Sequence, residues 1–109
     1  MTTIDQEFLL TRIKSALIPV FGDRLKGVVL FGSEARGDAR PDSDIDVLVL
    51  LNGKVSVFDD MMKISGVNIP IEWDIEPPRI IDATPVSYDD YKAGKWPLFR
   101  EVKKDGITA

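Results

Sequence analysis

The chain has no cysteine and no histidine among its 109 residues. It therefore has no disulfide framework, and it lacks the thiolate and imidazole ligands on which zinc and most transition-metal sites depend. Any metal site must be built from oxygen atoms, and carboxylate oxygens favour Mg²⁺, with Mn²⁺ as the alternative. The absence of cysteine is also compatible with a reducing compartment, and we expect a cytoplasmic protein.

Long apolar runs and an excess of positive charge are absent as well. No segment approaches the roughly 18 apolar residues of a membrane span, and the N-terminus has neither a basic region nor an apolar core. We therefore expect no association with a membrane. The net charge is −4, so there is no basic stripe of the kind that follows a phosphate backbone. Direct binding to nucleic acid is not expected.

The composition indicates one small folded domain. Hydrophobic residues make up 44% of the sequence, and neither a low-complexity tract nor an internal repeat interrupts it. A chain of this length can bury most of its apolar surface. We expect residues 1–109 to form a single domain.

Hydrophobic periodicity in the first half predicts a helix followed by two strands. Apolar residues at helical spacing predict a first helix that is capped by Thr3 and ends between Pro19 and Gly22. Continuous β-branched runs predict buried strands at residues 27–31 and 45–51. This order of elements is typical of an α/β protein.

The pattern of the second half of the sequence predicts three helices and additional strand structure. A helix is expected from Ser56 to about Gly66, a strand at residues 68–75, and a short strand or loop at 79–81. Ser87 is the expected cap of a brief helix, and Trp96 and Pro97 precede a last helix that ends near Gly106. The expected fold class is α/β (α+β), a small mixed β-sheet with flanking helices.

Gly32 and Ser33 follow directly on the first predicted strand. Glycine permits a sharp turn and a close approach of the backbone to a ligand, and Ser33 is the expected cap of a short helix. Such a turn presents free backbone N–H groups and a hydroxyl at the positive end of a helix dipole. Arg36 adds a cation. The sequence therefore predicts a phosphate site here.

Asp44 and Asp46 stand at the start of the second predicted strand. Residues i and i+2 of a strand share a face, with their Cα atoms about 6–7 Å apart. Two carboxylates at that distance repel by about 3 kcal/mol at an effective dielectric of 20, and a divalent cation would offset the repulsion. Acidic residues also mark ordinary strand boundaries. The combination with Gly32 and Ser33 is what favours a site for a nucleoside triphosphate and Mg²⁺.

The joint pattern Gly-Ser-x10-Asp-x-Asp lies in residues 30–39, LFGSEARGDA, and 43–49, SDIDVLV. It closely resembles the motif of the polymerase-β-type nucleotidyltransferases. Within them it is similar to the minimal nucleotidyltransferases (MNT) that act as antitoxins of HEPN toxins. Weaker similarity continues through residues 69–75 and 99–106. The resemblance implies a polymerase-β-like nucleotidyltransferase fold.

The resemblance implies a nucleotide site and a substrate. Gly32 and Ser33 would hold the triphosphate of ATP, and Arg36 and Ser43 would complete the nucleotide-binding residues. ATP would be the source of an AMP group.

The resemblance also implies a metal site with three carboxylates. Asp44 and Asp46 would bind two Mg²⁺ ions, and a third acid from a later strand would help to bind the second ion and activate the acceptor hydroxyl. In the strand predicted at 68–75 we choose Asp74 for this role over Glu72, because the family's acid is flanked by apolar residues. Asp74 is then both a catalytic and a metal-binding candidate.

The activity implied by the resemblance is Mg²⁺-dependent transfer of AMP from ATP to a hydroxyl of a cognate HEPN toxin, with Tyr as the expected acceptor, so that the toxin is neutralised. Two alternatives stay open. A non-catalytic antitoxin would block the toxin by occlusion, although pure binding does not need Asp44 and Asp46. A small-molecule nucleotidyltransferase would usually need an additional domain to hold its substrate. The sequence leaves the base preference, the acceptor residue and the stoichiometry of the toxin complex open.

Overall fold

The computed structural model of the protein describes residues 5–40 and 42–109. Their elements, in chain order, are α1 (Gln6–Phe21), β1 (Leu25–Phe31), α2 (Gly32–Arg36), β2 (Ile45–Leu51), α3 (Val57–Asp74), β3 (Ile81–Ser87), α4 (Tyr88–Ala93), α5 (Pro97–Asp105) and β4 (Ile107–Thr108). A 3₁₀ turn joins α1 to β1. No helix in these ranges is long and apolar enough to cross a membrane.

Helix α1 begins one residue after Asp5, whose side chain accepts a hydrogen bond from the Phe8 N–H at 3.1 Å. Asp5 therefore supplies the cap of the helix. Thr3, the predicted cap, lies outside the described residues. The helix ends at Phe21, close to its predicted end, with Pro19 inside its last turn.

The described strands form one mixed sheet in the order β3-β2-β1-β4. Strand β1 is antiparallel to β2 and β4, whereas β2 is parallel to β3. Parallel neighbours need a crossover connection, and α3 supplies it. The predicted mixed sheet with flanking helices is confirmed, and β1 and β2 contain the two strands predicted from their apolar runs.

Strand β2 divides its side chains between two hydrophobic clusters. Ile45, Val47 and Val49 belong to the larger cluster, which contains the buried faces of α1 and α3. Leu48 and Leu50 belong to a smaller cluster on the other face, formed with α4 and α5. Because successive side chains of a strand alternate, the even-numbered positions of β2 face the side of the sheet that carries α4 and α5.

The prediction of a strand at residues 68–75 is wrong, because most of this segment belongs to helix α3. Ile64 and Ile71 are buried, whereas Ile69 and Trp73 are exposed. A strand would place residues 69, 71 and 73 on one face, but burial at 64 and 71 is the spacing of a helix. The apolar residues at the end of α3 fit the period of a helix as well as that of a strand. The packing of the long helix on the sheet decides in favour of the helix.

Strand β3 is longer than the short strand or loop expected at residues 79–81. Ile81, Ala83 and Pro85 are buried, and Asp82 and Thr84 are exposed. Proline is tolerated because β3 lies at the edge of the sheet, where an N–H can be absent without loss of a ladder hydrogen bond.

The two C-terminal helices begin as predicted, and the last helix also ends as predicted. Ser87 caps α4, with its hydroxyl accepting a hydrogen bond from the Asp90 N–H at 3.3 Å. Helix α5 follows Trp96, has Pro97 in its first turn and ends at Gly106. Strand β4, which pairs with β1, was not predicted.

The helical assignment of α3 predicts different effects for two identical substitutions. Ile71→Ala removes a buried side chain and should lower the free energy of unfolding by about 2–4 kcal/mol. Ile69→Ala changes a half-exposed side chain and should cost less than about 1 kcal/mol. Urea unfolding of both variants measures the difference. Equal losses would contradict the helix, because only a strand places the two side chains on one face.

Candidate functional site

The register of the sheet brings Asp46 and Asp82 to directly opposite positions on β2 and β3. Neighbouring strands lie about 4.8 Å apart. Both acids lie on the face of the sheet opposite Ile45 and Ile81, which point into the larger core cluster. Asp44 is exposed one residue before β2. Three carboxylates thus gather at one end of the sheet.

The charges of this acidic group act on one another. Burial raises the pKa of the Asp46 carboxyl, and the negative charges of Asp82 and Asp44 raise it further, while Arg36 lowers it. Asp46 therefore binds a proton more readily than an isolated carboxyl does. The excess negative charge is the property that a cation would compensate.

The donor set fits a hard divalent cation in its chemistry, because it consists of carboxylate oxygens that repel one another. Within the described ranges, however, no three acidic side chains converge closely enough to form a ready-made metal cage. Asp44, Asp46 and Asp82 therefore supply the right ligand type and charge, but their side chains do not form a closed coordination shell.

Gly32 lies against Asp46. Its φ angle is +74°, and a Cβ atom built on it would lie 2.5 Å from Asp46 Oδ2. The backbone conformation favours glycine, and any side chain here would force the Asp46 carboxylate to shift. Ser33 is not the cap that was predicted, because α2 begins at Gly32 after Phe31. Ser33 lies in the first turn instead.

A cavity of about 260 Å³ opens beside this turn. It lies between α2 and α5, and its lining residues are Phe31, Gly32, Arg36, Leu98, Glu101, Val102 and Asp105. The cavity provides space next to the turn, with Arg36 as the cation in its wall.

A buried ion pair connects the segments that carry the site. Arg79 Nη1 donates to Glu34 Oε1 on α2 at 2.6 Å, and Arg79 Nε donates to the Ser43 carbonyl at 2.8 Å, one residue before Asp44. Arg79 itself lies three residues before Asp82. One guanidinium therefore joins the glycine turn to the starts of β2 and β3. Loss of one partner from a buried pair costs about 3–5 kcal/mol. Sequence reasoning missed this pair, since nothing local links residues 45 positions apart.

The remaining predicted site residues have local partners. The guanidinium of Arg36 lies 3.5 Å from Asp38 Oδ2 and is near enough to lower the Asp46 pKa. The Ser43 hydroxyl accepts a hydrogen bond from the Arg40 N–H at 3.0 Å. Ser43 thus shapes the loop before Asp44 with its side chain and anchors Arg79 with its carbonyl.

Asp74 does not join the acidic group. It ends α3, which packs on the opposite face of the sheet, and forms an ion pair with Arg12 of α1. The alternative, Glu72, accepts a hydrogen bond from the Ile81 N–H at 2.7 Å and so supports the start of β3. The choice of Asp74 depended on a strand that is absent, and the acid opposite Asp46 is Asp82. The alternation of residues 81–86 was the signal that could have revealed it.

Comparison with known proteins gives a family and two curated relatives. The sequence model of the family described as "Nucleotidyltransferase domain" matches residues 11–96. "Putative protein adenylyltransferase MJ0141" of Methanocaldococcus jannaschii is 42% identical over 43 residues, which are 39% of this chain and 43% of that protein. "Putative protein adenylyltransferase MJ0604" of the same organism is 38% identical over 47 residues, 43% of this chain and 47% of that protein. The chain thus spans less than half of the length of these relatives.

Two solved structures share the fold. "A putative nucleotidyltransferase from Sulfolobus solfataricus" is 26% identical with a TM-score of 0.58, over 94% of this chain and 80% of that one. A structure of "the toxin-antitoxin with AMP-PNP" is 19% identical with a TM-score of 0.63, over 90% of this chain and 69% of that one. The second likeness, at this identity, concerns the fold alone.

The raised pKa of Asp46 predicts that its charge destabilises the metal-free protein at neutral pH. A carboxyl whose pKa is raised by folding contributes stability at low pH that is lost as the pH rises through the folded-state pKa. Asp46→Asn should therefore raise the free energy of unfolding at pH 7 in the presence of chelator by up to about 1 kcal/mol, the size of a repulsive cross-strand pair. The gain should shrink as the pH falls through the folded-state pKa and vanish below about pH 3, where the carboxyl is protonated in both states.

Thermal unfolding of Asp46→Asn across this pH range tests the expectation. Asp42→Asn is the control, because it removes an exposed carboxylate from the adjacent loop. A destabilised Asp46→Asn variant at pH 7 without metal would show that Asp46 makes a stabilising contact, contrary to the charge arrangement described here.

Proposed function

Because the chain belongs to the nucleotidyltransferase domain family, whose model matches residues 11–96, we propose that it transfers AMP from ATP to a hydroxyl group of a partner protein. The observation that carries the proposal is the register of Asp46 with Asp82, next to Gly32. It brings a glycine turn and a group of carboxylates to one end of the sheet. The two curated relatives that are described as protein adenylyltransferases support a protein as the acceptor.

The proposal assigns the triphosphate of ATP to the turn at Gly32. Without a Cβ atom, the backbone there can approach phosphate oxygens closely. The Ser33 hydroxyl and the Arg36 guanidinium would donate to the same oxygens, and a hydrogen bond to a charged group contributes about 1.5–3 kcal/mol. The cavity between α2 and α5 leaves room beside the turn for part of the nucleotide.

Two Mg²⁺ ions, or Mn²⁺ in their place, would be held by Asp44, Asp46 and Asp82. When bound, the metal neutralises charge on the phosphates and the leaving pyrophosphate and lowers the pKa of the attacking hydroxyl. The repulsion that raises the Asp46 pKa is the property of the chain that supports this assignment.

The chemistry that we propose is a single in-line displacement. The acceptor oxygen forms a bond to the α-phosphorus of ATP, and the bond from that phosphorus to the oxygen of the β-phosphate breaks, which releases pyrophosphate. The hydroxyl proton passes to the Asp82 carboxylate or to water. Asp82 is exposed on the edge strand β3, so a side chain on the surface of another protein can reach it.

The partner that we propose is a HEPN toxin, and the acceptor is a Tyr hydroxyl on it. Modification of the toxin would then neutralise it. Support comes from the motif in residues 30–49 and from the likeness of the fold to a structure of a toxin–antitoxin with AMP-PNP. This finer assignment depends on the proposed transfer.

The transfer predicts a mass change on the partner. Incubated with ATP, Mg²⁺ and the product of an adjacent toxin gene, the protein should add about 329 Da per AMP group to the toxin, as measured by intact-mass spectrometry. Asp46→Asn and Asp82→Asn should lower the rate at least about 100-fold, because each removes a charge from the metal site.

Asp74→Asn is the matched control for Asp82→Asn. It makes the same chemical change but removes only an exposed ion pair with Arg12, which contributes at most about 1 kcal/mol to stability. If Asp82→Asn keeps full transfer activity and Asp74→Asn loses it, the third carboxylate is Asp74, as predicted from the sequence. If the toxin is neutralised with unchanged mass, even by an Asp44→Asn, Asp46→Asn double variant, the protein acts by occlusion instead.

The close contact of Gly32 with Asp46 gives a separate prediction for ATP binding. Gly32→Ala and Gly37→Ala both place a side chain at positive φ, at +74° and +81°, so each should lose about 1–2 kcal/mol of stability. Only at Gly32 would the new Cβ meet Asp46, since the Cβ of Gly37 has no described atom within 4 Å. Calorimetry with Mg²⁺ and ATP should show at least about tenfold weaker binding for Gly32→Ala alone. Equal affinities would exclude the turn from the nucleotide site.

A further inference from the structure

Helix α3 is apolar on two opposite faces. One face packs in the core through Ile64 and Ile71. The other exposes four large side chains that we call the outer stripe, and their exposed fractions are 75% for Phe58, 62% for Met62, 50% for Ile69 and 72% for Trp73. A surface helix normally has a polar outer face, and a helix that is apolar all round is normally buried. The outer stripe is therefore a surface that another molecule is expected to cover.

The outer stripe is symmetric about its own midpoint. At about 100° per residue its four side chains fall within roughly 60° of arc, and it extends about 22 Å along the helix. Phe58 and Trp73 are equally far from the point between Ser65 and Gly66, and so are Met62 and Ile69. A stripe with this order matches itself when a second copy lies antiparallel across a twofold axis, since such an interface uses the same patch on both subunits.

In the part of the chain that the structure describes, no atom packs where a side chain at Gly66 would lie. A Cβ atom built on it has no described heavy atom within 4 Å, and its φ angle is not positive. Glycine inside a helix costs about 1 kcal/mol relative to alanine. At the midpoint of the outer stripe, however, glycine would allow a second helix backbone to approach closely.

The area of the outer stripe suits a modest homodimer. Its two aromatic and two aliphatic side chains present on the order of 500 Å² of accessible surface. This is near the upper end of the largest apolar patches on monomeric proteins, roughly 300–600 Å². Two copies together would bury about 1,000 Å², the lower bound for a specific interface.

We propose that the outer stripe is the interface of an antiparallel homodimer, in which Phe58 packs against the partner's Trp73 and Met62 against the partner's Ile69. Ser65 and Gly66 of both copies lie at the helix crossing. Helix α3 packs on the face of the sheet opposite Asp46. The dimer therefore leaves both acidic sites open, and the proposal does not depend on the nucleotidyl transfer.

Sedimentation velocity and cross-linking test the homodimer. The purified wild-type chain should form dimers whose fraction rises with concentration up to about 100 µM. The chain has no cysteine, so introduced thiols react without background. A short thiol-to-thiol cross-linker should join Met62→Cys to Ile69→Cys when the two variants are mixed, and should join neither variant to itself, because like positions lie about 10 Å apart along the axis.

Gly66→Arg should increase the dissociation constant of the dimer at least about tenfold, because it introduces charge and bulk at the crossing. Its far-UV circular dichroism should match wild type, since the new Cβ meets no described atom. Ser15→Arg, on the exposed side of α1, is the matched control and should leave the dimer intact. A wild-type chain that is monomeric at 100 µM, cross-links in a different register, a dimer insensitive to Gly66→Arg, or an outer stripe covered only by a different protein would each overturn the proposal.

Discussion

Strand β2 pairs with one antiparallel and one parallel neighbour, and both the core and the site depend on the register of these two pairings. Its antiparallel register with β1 sets Phe31 opposite Asp46, so the chain turns at Gly32 directly beside that carboxylate. Its parallel register with β3 sets Asp82 on the other side. A shift of one residue would reverse the face of every side chain in the shifted strand. The apolar side chains of β2 on both faces hold this register, and so they also hold the acids together.

The site works against the stability of the domain. Carboxylates are brought together by strand pairing, and the pKa of Asp46 rises because burial and like charges disfavour its ionised form. The buried Arg79–Glu34 ion pair joins the glycine turn to the segments that precede β2 and β3. A buried ion pair is weak evidence for stability, because desolvation offsets its attraction. Its position at the junction of three segments indicates that it maintains the geometry of the site.

The two faces of the sheet have different roles, because one carries the acidic site and the other holds the larger core. The face with α4 and α5 bears Asp46 and Asp82 at one end, next to the smaller apolar cluster. The face with α1 and α3 holds the larger core. Helix α3 is the crossover that makes β2 and β3 parallel, and its outer stripe points away from the sheet. An association through that stripe would leave the acidic end of the sheet accessible to a second molecule.

The sequence by itself determined the elements whose patterns are local and unambiguous. The apolar runs of β1 and β2, the glycine turn at residue 32, and the pair Asp44 and Asp46 follow from residue types at short spacing, and they identify the family motif. The same pattern failed at residues 68–75, where an apolar alternation fits both a strand and the end of a long helix. Ile71 is buried because α3 packs on the sheet, and that packing is a tertiary contact.

Only the tertiary structure decided which third carboxylate meets Asp46 and which cation joins the segments. Asp82 lies opposite Asp46 through parallel pairing across a helical crossover, and Arg79 reaches Glu34 across 45 positions. The alternation of residues 81–86 indicates a strand with Asp82 on one face, but no local pattern shows which strand it pairs with or that Arg79 contacts Glu34. Such contacts depend on how the helices pack on the sheet and thereby fix strand order and register, and this packing is a sum over many distant side chains rather than a property of any short segment.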